Sequence, residues 1–170
     1  DDLRGLGAKP AVLQVPIGAE AGFRGVVDVL ANKAYVYEGD AGTVKETAVP
    51  ADLADEVALA REILVEAIAE GNDALLEKYL EGGELSPDDL RQGLHDATKA
   101  GRIVPVLCGA GPKGIGAHAL LDAVVDLLPS PAELPAWVGV DPKTGADVER
   151  ACDPSAPFAA YVLKTVVDPF

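Results

Sequence analysis

Basic residues are scarce: 14 lysines and arginines stand against 28 acidic residues, a formal net charge of -14 over 170 residues. With no lysine or arginine cluster to displace counterions from a phosphate backbone, the chain is not expected to bind DNA. The two cysteines, Cys108 and Cys152, are far apart and lack a C-x-x-C partner, so neither a zinc site nor a disulfide framework is indicated and cytoplasm is the default compartment. Long apolar runs are missing as well. Charges interrupt every one of them before the roughly twenty residues a membrane span needs, and no basic segment followed by an apolar one opens the chain. A soluble, cytoplasmic chain with no membrane partner is expected. Histidine is limited to His95 and His118, neither with a second ligand at metal spacing, so both read as surface or flank residues. Nor does any Gly-x-x-x-x-Gly-Lys-Ser/Thr occur, so nothing in this chain cradles a triphosphate and its magnesium.

What is present suffices for a core. A fold of this length buries about 70% of its unfolded surface, and 49% of the residues are hydrophobic. The opening Asp1-Asp2-Leu3-Arg4-Gly5 resembles the tail of an upstream helix, so the chain is expected to begin inside a domain. Residues 11–18 alternate weakly and end in Pro16 and Gly18, a strand running into a turn. Residues 23–30, 34–37 and 43–49 continue an antiparallel meander, broken at 31–33 and 38–42. Asn32-Lys33 is not a guanine-specificity motif: Asn-Lys-x-Asp needs a carboxylate where position 35 is tyrosine, and the pair reads as a turn. From Pro50 the periodicity becomes helical, with Leu53, Val57, Ala60, Leu64 and Ile68 on one stripe and Asp52, Asp55, Glu56, Glu62, Glu66 and Glu70 mostly elsewhere. A shorter helix is expected over 74–80. A third opens with Ser86 as N-cap, Pro87 in the first turn, Asp89 at the capping-box position and Leu85 stapled to Leu90, and stops at Gly101.

The most informative stretch is 102–131. Ile103, Val104, Val106 and Leu107 make a short buried-type strand, and Pro105, which has no N–H for a ladder, places it at a sheet edge. Gly109, Gly111, Gly114 and Gly116 follow, then a helix with Leu120, Leu121, Val124, Val125 and Leu128 on one stripe, Asp122 and Asp126 opposite, and Pro129 as its stop. In an open α/β sheet, ligands bind at strand C-termini beside such loops. Gly109-Ala-Gly111-Pro-Lys-Gly114 spells the dinucleotide pattern G-x-G-x-x-G, with the segment 137–141 as a candidate acidic strand end. Against it, Pro112 interrupts the loop and Gly114-Ile-Gly116 delays the helix whose N-terminus would face a pyrophosphate.

The same residues carry a resemblance. Val104-Pro-Val-Leu-Cys-Gly109, followed nine residues later by His118-Ala-Leu-Leu-Asp-Ala-Val-Val-Asp-Leu-Leu-Pro-Ser-Pro131, resembles the last G-domain strand, guanine loop and final helix of elongation factor G. Val15-Pro-Ile-Gly18, Phe23-Arg-Gly25, Asp28, Lys33-Ala34, Gly42-Thr43, Leu76-Glu-Lys-Tyr-Leu-Glu-Gly82, Leu85-Ser-Pro and Pro157-Phe-Ala-Ala also match that family, so the resemblance covers nearly the whole chain.

It implies an α/β fold: the C-terminal edge of a P-loop GTPase-type sheet carrying an inserted α+β G′ subdomain, plus the first strand of a β-barrel domain II. Residues 1–10 would end an upstream G-domain helix, 11–101 form the G′ insertion, 102–128 the last strand, guanine loop and helix, 129–156 a linker, and 157–170 the first barrel strand. The linker would hold a turn at 141–145, and the lone Trp137 would pack or anchor it.

By the same resemblance, the parent is a GTPase of protein synthesis that binds GTP or GDP with magnesium and hydrolyses GTP by in-line attack of water, coupled to translocation. This segment would hold no catalytic residue. Gly109, Ala110 and Gly111 would supply guanine-side backbone contacts, although the family's Ser-Ala pair is here Ala110-Gly111 and Pro112 replaces an aromatic. Implied partners are the ribosome, its stalk protein through the acidic G′ helices, and ribosomal RNA through other domains. The departures in the loop leave room for a recycling or protection paralogue. Of other classes, a dinucleotide-binding domain and a non-catalytic acidic adaptor stay open. The acids of 51–90 read as a solvated or docking face rather than a paired general acid and base.

Overall fold

Positive-φ Gly18 between the first two strands of the larger sheet, and an Asx turn between the next two, reverse the chain. The computed structural model describes residues 2–5, 7–38 and 43–168. The turn expected at 38–42 and the Gly42 match therefore fall, apart from Glu38, outside the described residues, as does Asp1. The chain divides into two units, Asp1–Leu128 and Pro129–Phe170. Together they make a mixed α/β chain with parallel and antiparallel sheets.

In the first unit a short helix α1 (Asp2–Gly5) precedes β1 (Pro10–Val12) and β2 (Gln14–Ile17). Where the sequence pattern predicts one strand over 11–18 there are two, because the chain changes partners at Leu13. The Leu13 amide donates to the Val106 carbonyl at 3.0 Å, while its own carbonyl accepts from the Val29 amide at 3.0 Å. From there β2, β3 (Gly25–Asp28), β4 (Lys33–Glu38) and β5 (Thr43–Thr47) form the antiparallel meander in sequence order. Asn32, at φ 53°, and the Asp28 carboxylate accepting from the Ala31 amide at 2.8 Å make the expected turn between β3 and β4.

Period-2 alternation divides the meander's residues between its faces. Val15, Val27 and Ala34 lie in register on one face, within a core shared with helices α2 (Ala54–Ala69) and α4 (Pro87–Lys99). Of the stripe expected on α2, Val57, Leu64 and Ile68 are buried, and Leu53 and Ala60 pack partly against the same core. Helix α3 (Asp73–Leu80) starts on the Asn72 side chain, which accepts from the Ala74 and Leu75 amides. Ser86 and Asp89 form the expected reciprocal capping box, and Gly101 takes the expected left-handed φ of 68°. Arg61 of α2 donates to the carbonyls of Val29 and Leu30, an anchor that no periodicity announces.

The other face of the meander carries Gln14, Pro16, Val26 and Tyr35, with Tyr37 in the same alternation. Strand β6 (Val104–Val106) pairs in parallel with β1, and α5 (Ala117–Leu127) follows. On α5 the expected apolar stripe faces outward. Leu120, Leu121, Val124, Val125 and Leu128 are exposed, whereas Leu127 is buried and Ala123 packs partly on the core. The face that is covered is the one turned to α4, where His95 meets the Asp126 carbonyl.

In the second unit the expected linker 129–156 contains a hairpin, β7 (Trp137–Val140) and β8 (Asp147–Arg150). Its turn is the one expected at 141–145: the Asp141 carboxylate accepts from the Lys143 amide at 2.7 Å, and Gly145 adopts φ 70°. Trp137 is 75% exposed rather than packed. The strand expected from residue 157 is not formed; residues 157–168 belong to no element, since a lone strand has no ladder to join.

Candidate functional site at the glycine loop

Strand β6 ends at the glycine loop, and its hydrogen bonds explain the proline. Val104 donates to the Lys9 carbonyl at 2.9 Å, and the Val106 carbonyl accepts from Leu13 at 3.0 Å. Pro105, between them, points its missing donor away from β1, and β6 has no second partner among the described residues. Among the described residues the strand is a sheet edge.

Beyond it the loop closes on itself. The Ala110 amide donates to the Ile115 carbonyl at 2.9 Å, Lys113 to Ala110 at 3.0 Å and Gly114 to Gly111 at 3.0 Å, so that 111–113 make one 3₁₀ turn. Gly116 completes the closure with φ 79°; a Cβ there would stand 2.3 Å from the Cys108 carbonyl oxygen, so only glycine fits. Of the three residues expected to contact a guanine, Ala110 thus spends its amide inside the loop. The amides of Gly109 and Gly111 donate to no backbone acceptor among the described residues, and both residues are exposed. Two unspent N–H groups at a strand C-terminus form a small donor set for a carbonyl oxygen.

Both ends of the loop are tied to the meander. Gln14, the only polar or charged residue buried among those described, accepts from the Cys108 amide at 3.0 Å through its Oε1. Burial pushes the Cys108 thiol up. At the far end, the Tyr37 hydroxyl and His118 Nδ1 are hydrogen-bonded at 2.6 Å, and the Tyr35 ring meets the imidazole edge-on at a centroid distance of 5.4 Å. Burial raises the Tyr37 hydroxyl pKa, and the Gly116 backbone opposes it with a hydrogen bond.

Both histidines are half-buried and hydrogen-bonded. His118 is half-buried between the tyrosines, and His95 Nδ1 lies 2.8 Å from the Asp126 carbonyl, so the two fasten opposite ends of α5. Sequence spacing gave no signal for these contacts, which join residues 81 and 31 positions apart. The acids Asp55, Glu56, Glu62 and Glu66 of α2 and Glu70 at its C-cap are exposed. A cleft of about 390 Å³ between residues 4–10 and α2 is crossed by the Lys9–Glu70 ion pair, and it lies apart from the glycine loop.

The dinucleotide pattern meets its structural test here. One 3₁₀ turn and the segment 114–116 separate the pattern's first glycines from Ala117, where α5 begins, so no helix N-terminus opens inside the fingerprint.

No protein-family model matches the chain. Among solved structures it is similar to a protein of Thermus thermophilus, with 34% identity and a TM-score of 0.71 over 87% of this chain. The likeness is one of fold. The chain spans only 23% of the length of that protein.

Proposed function

We propose that this chain is the guanine-side part of a translational GTPase resembling elongation factor G, with residues 11–101 as its G′ insertion and 102–128 as the end of its G domain. One observation carries the reading: at the C-terminal end of an edge strand, the exposed Gly109 and Gly111 amides donate to no backbone acceptor among the described residues, while the Ala110 amide between them is spent inside the loop. The guanine O6 is a single acceptor of the kind such a donor fits, whereas a pyrophosphate calls for the helix N-terminus that this loop lacks. GTP and magnesium would be held by parts of the protein outside this chain and supply the hydrolysable bond. This chain's part is to orient the base.

The exposed acids of α2 support a docking role toward a basic ribosomal partner, such as the stalk protein, where charge would raise the encounter rate more than affinity. Ribosomal RNA would be met by other domains, in the cytoplasm. Residues 157–168 would become the first strand of a barrel only alongside the strands that complete it.

Titration of the longer protein with GDP and with NAD tests the base. Micromolar or tighter GDP binding with none for NAD is expected; the reverse refutes the proposal. Co-sedimentation with ribosomes without binding to either nucleotide would favour an acidic adaptor. If GDP binds, ribosome-stimulated translocation against subunit splitting separates the elongation reading from the recycling one.

A further inference from the structure

The glycine loop is gripped at both ends by one face of the meander. Gln14 lies on β2 and Tyr35 and Tyr37 on β4, and strand register puts Gln14 and the tyrosines on the same side of the sheet. Gln14 holds Cys108, the residue before the first loop glycine. Tyr37 holds His118, two residues after the last. Between these points the loop closes by its own main-chain bonds, so its outward-facing donors are fixed relative to the sheet rather than to β6 alone. A buried glutamine with its acceptor satisfied by a loop amide is costly to disturb, because removing it strands the partner donor. The two contacts come from opposite ends of the loop and are independent of each other.

We propose that Gln14 and the Tyr37–His118 pair are positioning residues for the Gly109–Gly111 donors, making the meander the template that sets where the Gly111 amide points. The inference rests on the guanine reading for its ligand, but not for its geometry. Anything that shifts β2 against β4 would redirect that donor.

Two measurements test it. Amide hydrogen exchange on the longer protein compares wild type with Tyr37→Phe, which removes only the hydroxyl, and with Gln14→Leu. Exchange at Ala110 and Gly116 is expected to rise about three- to tenfold, with the amides of β3 and α2 unchanged. No rise at the loop, or an equal rise throughout, overturns the proposal. Should Gln14→Leu fail to fold, Tyr37→Phe decides.

The second measurement uses the longer protein with GDP and with the diphosphate of 2-aminopurine riboside, which lacks O6. Tyr37→Phe should weaken GDP by about three- to tenfold and leave the analogue unchanged. Equal weakening of both marks a merely structural role and overturns the proposal. Failure of the wild type to bind GDP would refute the guanine reading alone, and the exchange experiment would still decide the positioning.

Discussion

Gly116 and Gly114 show how unequal two glycines of one loop can be. Both have positive φ, 79° and 67°, but only at Gly116 would a Cβ collide with backbone; at Gly114 nothing lies within 4 Å. Gly114→Ala should therefore cost about 1 kcal/mol, the ordinary penalty of a left-handed alanine. Gly116→Ala adds a main-chain clash and should cost clearly more, as urea unfolding of both variants would show. Asp89 gives a pH prediction at the same scale. The Lys78 ammonium, then the Ser86 amide and hydroxyl, hold its carboxyl down from 3.8 to about 2. A carboxylate depressed in the folded state stabilises above its unfolded pKa, and that contribution disappears as pH falls from near 3.8 through about 2. Thermal unfolding followed from pH 5 downward should lose less stability in that window for Asp89→Asn than for wild type. A parallel decline would show that the cap does not titrate.

At the scale of elements, α5 tests which face of a helix is anchored. Its sequence stripe of 120, 121, 124, 125 and 128 looks like a core face, yet Val125 is 79% exposed while Leu127, off that stripe, is 5% exposed. Leu127→Ala should cost about 2–5 kcal/mol, and Val125→Lys should stay within about 0.5 kcal/mol. The opposite order would place the stripe inward. Elements with a local cause were legible beforehand. The capping box at Ser86, the stop at Gly101, the turn at 31–33 and the α2 stripe each depend on residues within a few positions. The break of the first strand at Leu13 was not legible, because it is set by Val106 and Val29, which lie far along the chain. The β7–β8 hairpin was half legible: its Asx turn was marked by Asp141 and Gly145, but its strands carry only exposed, weakly patterned residues.

For the whole molecule, aromatic placement separates the two units experimentally. Trp137 is the only tryptophan and lies in the second unit, exposed, whereas Tyr35 and Tyr37 lie in the first. Acrylamide should quench tryptophan emission in the folded chain nearly as well as in the urea-unfolded chain. Protected, blue-shifted emission would contradict an exposed Trp137. The signals of Tyr35, Tyr37 and Tyr79 would then follow the unfolding of the first unit, where the buried core lies, with Tyr161, exposed in the second unit, removed by Tyr161→Phe.

By itself the sequence determined the local grammar: where helices cap and stop, which loop is rich in glycine, and that β6 tolerates a proline. These follow from backbone preferences and short-range periodicity, which act between near neighbours. Only the tertiary structure decided which amides of the loop are spent and which are free, that Gln14 and Tyr37 grip its two ends, and that α5 turns its apolar stripe outward. Those outcomes depend on hydrogen-bond partners brought from up to 94 residues away, and no pattern within a single segment encodes the partner it will meet.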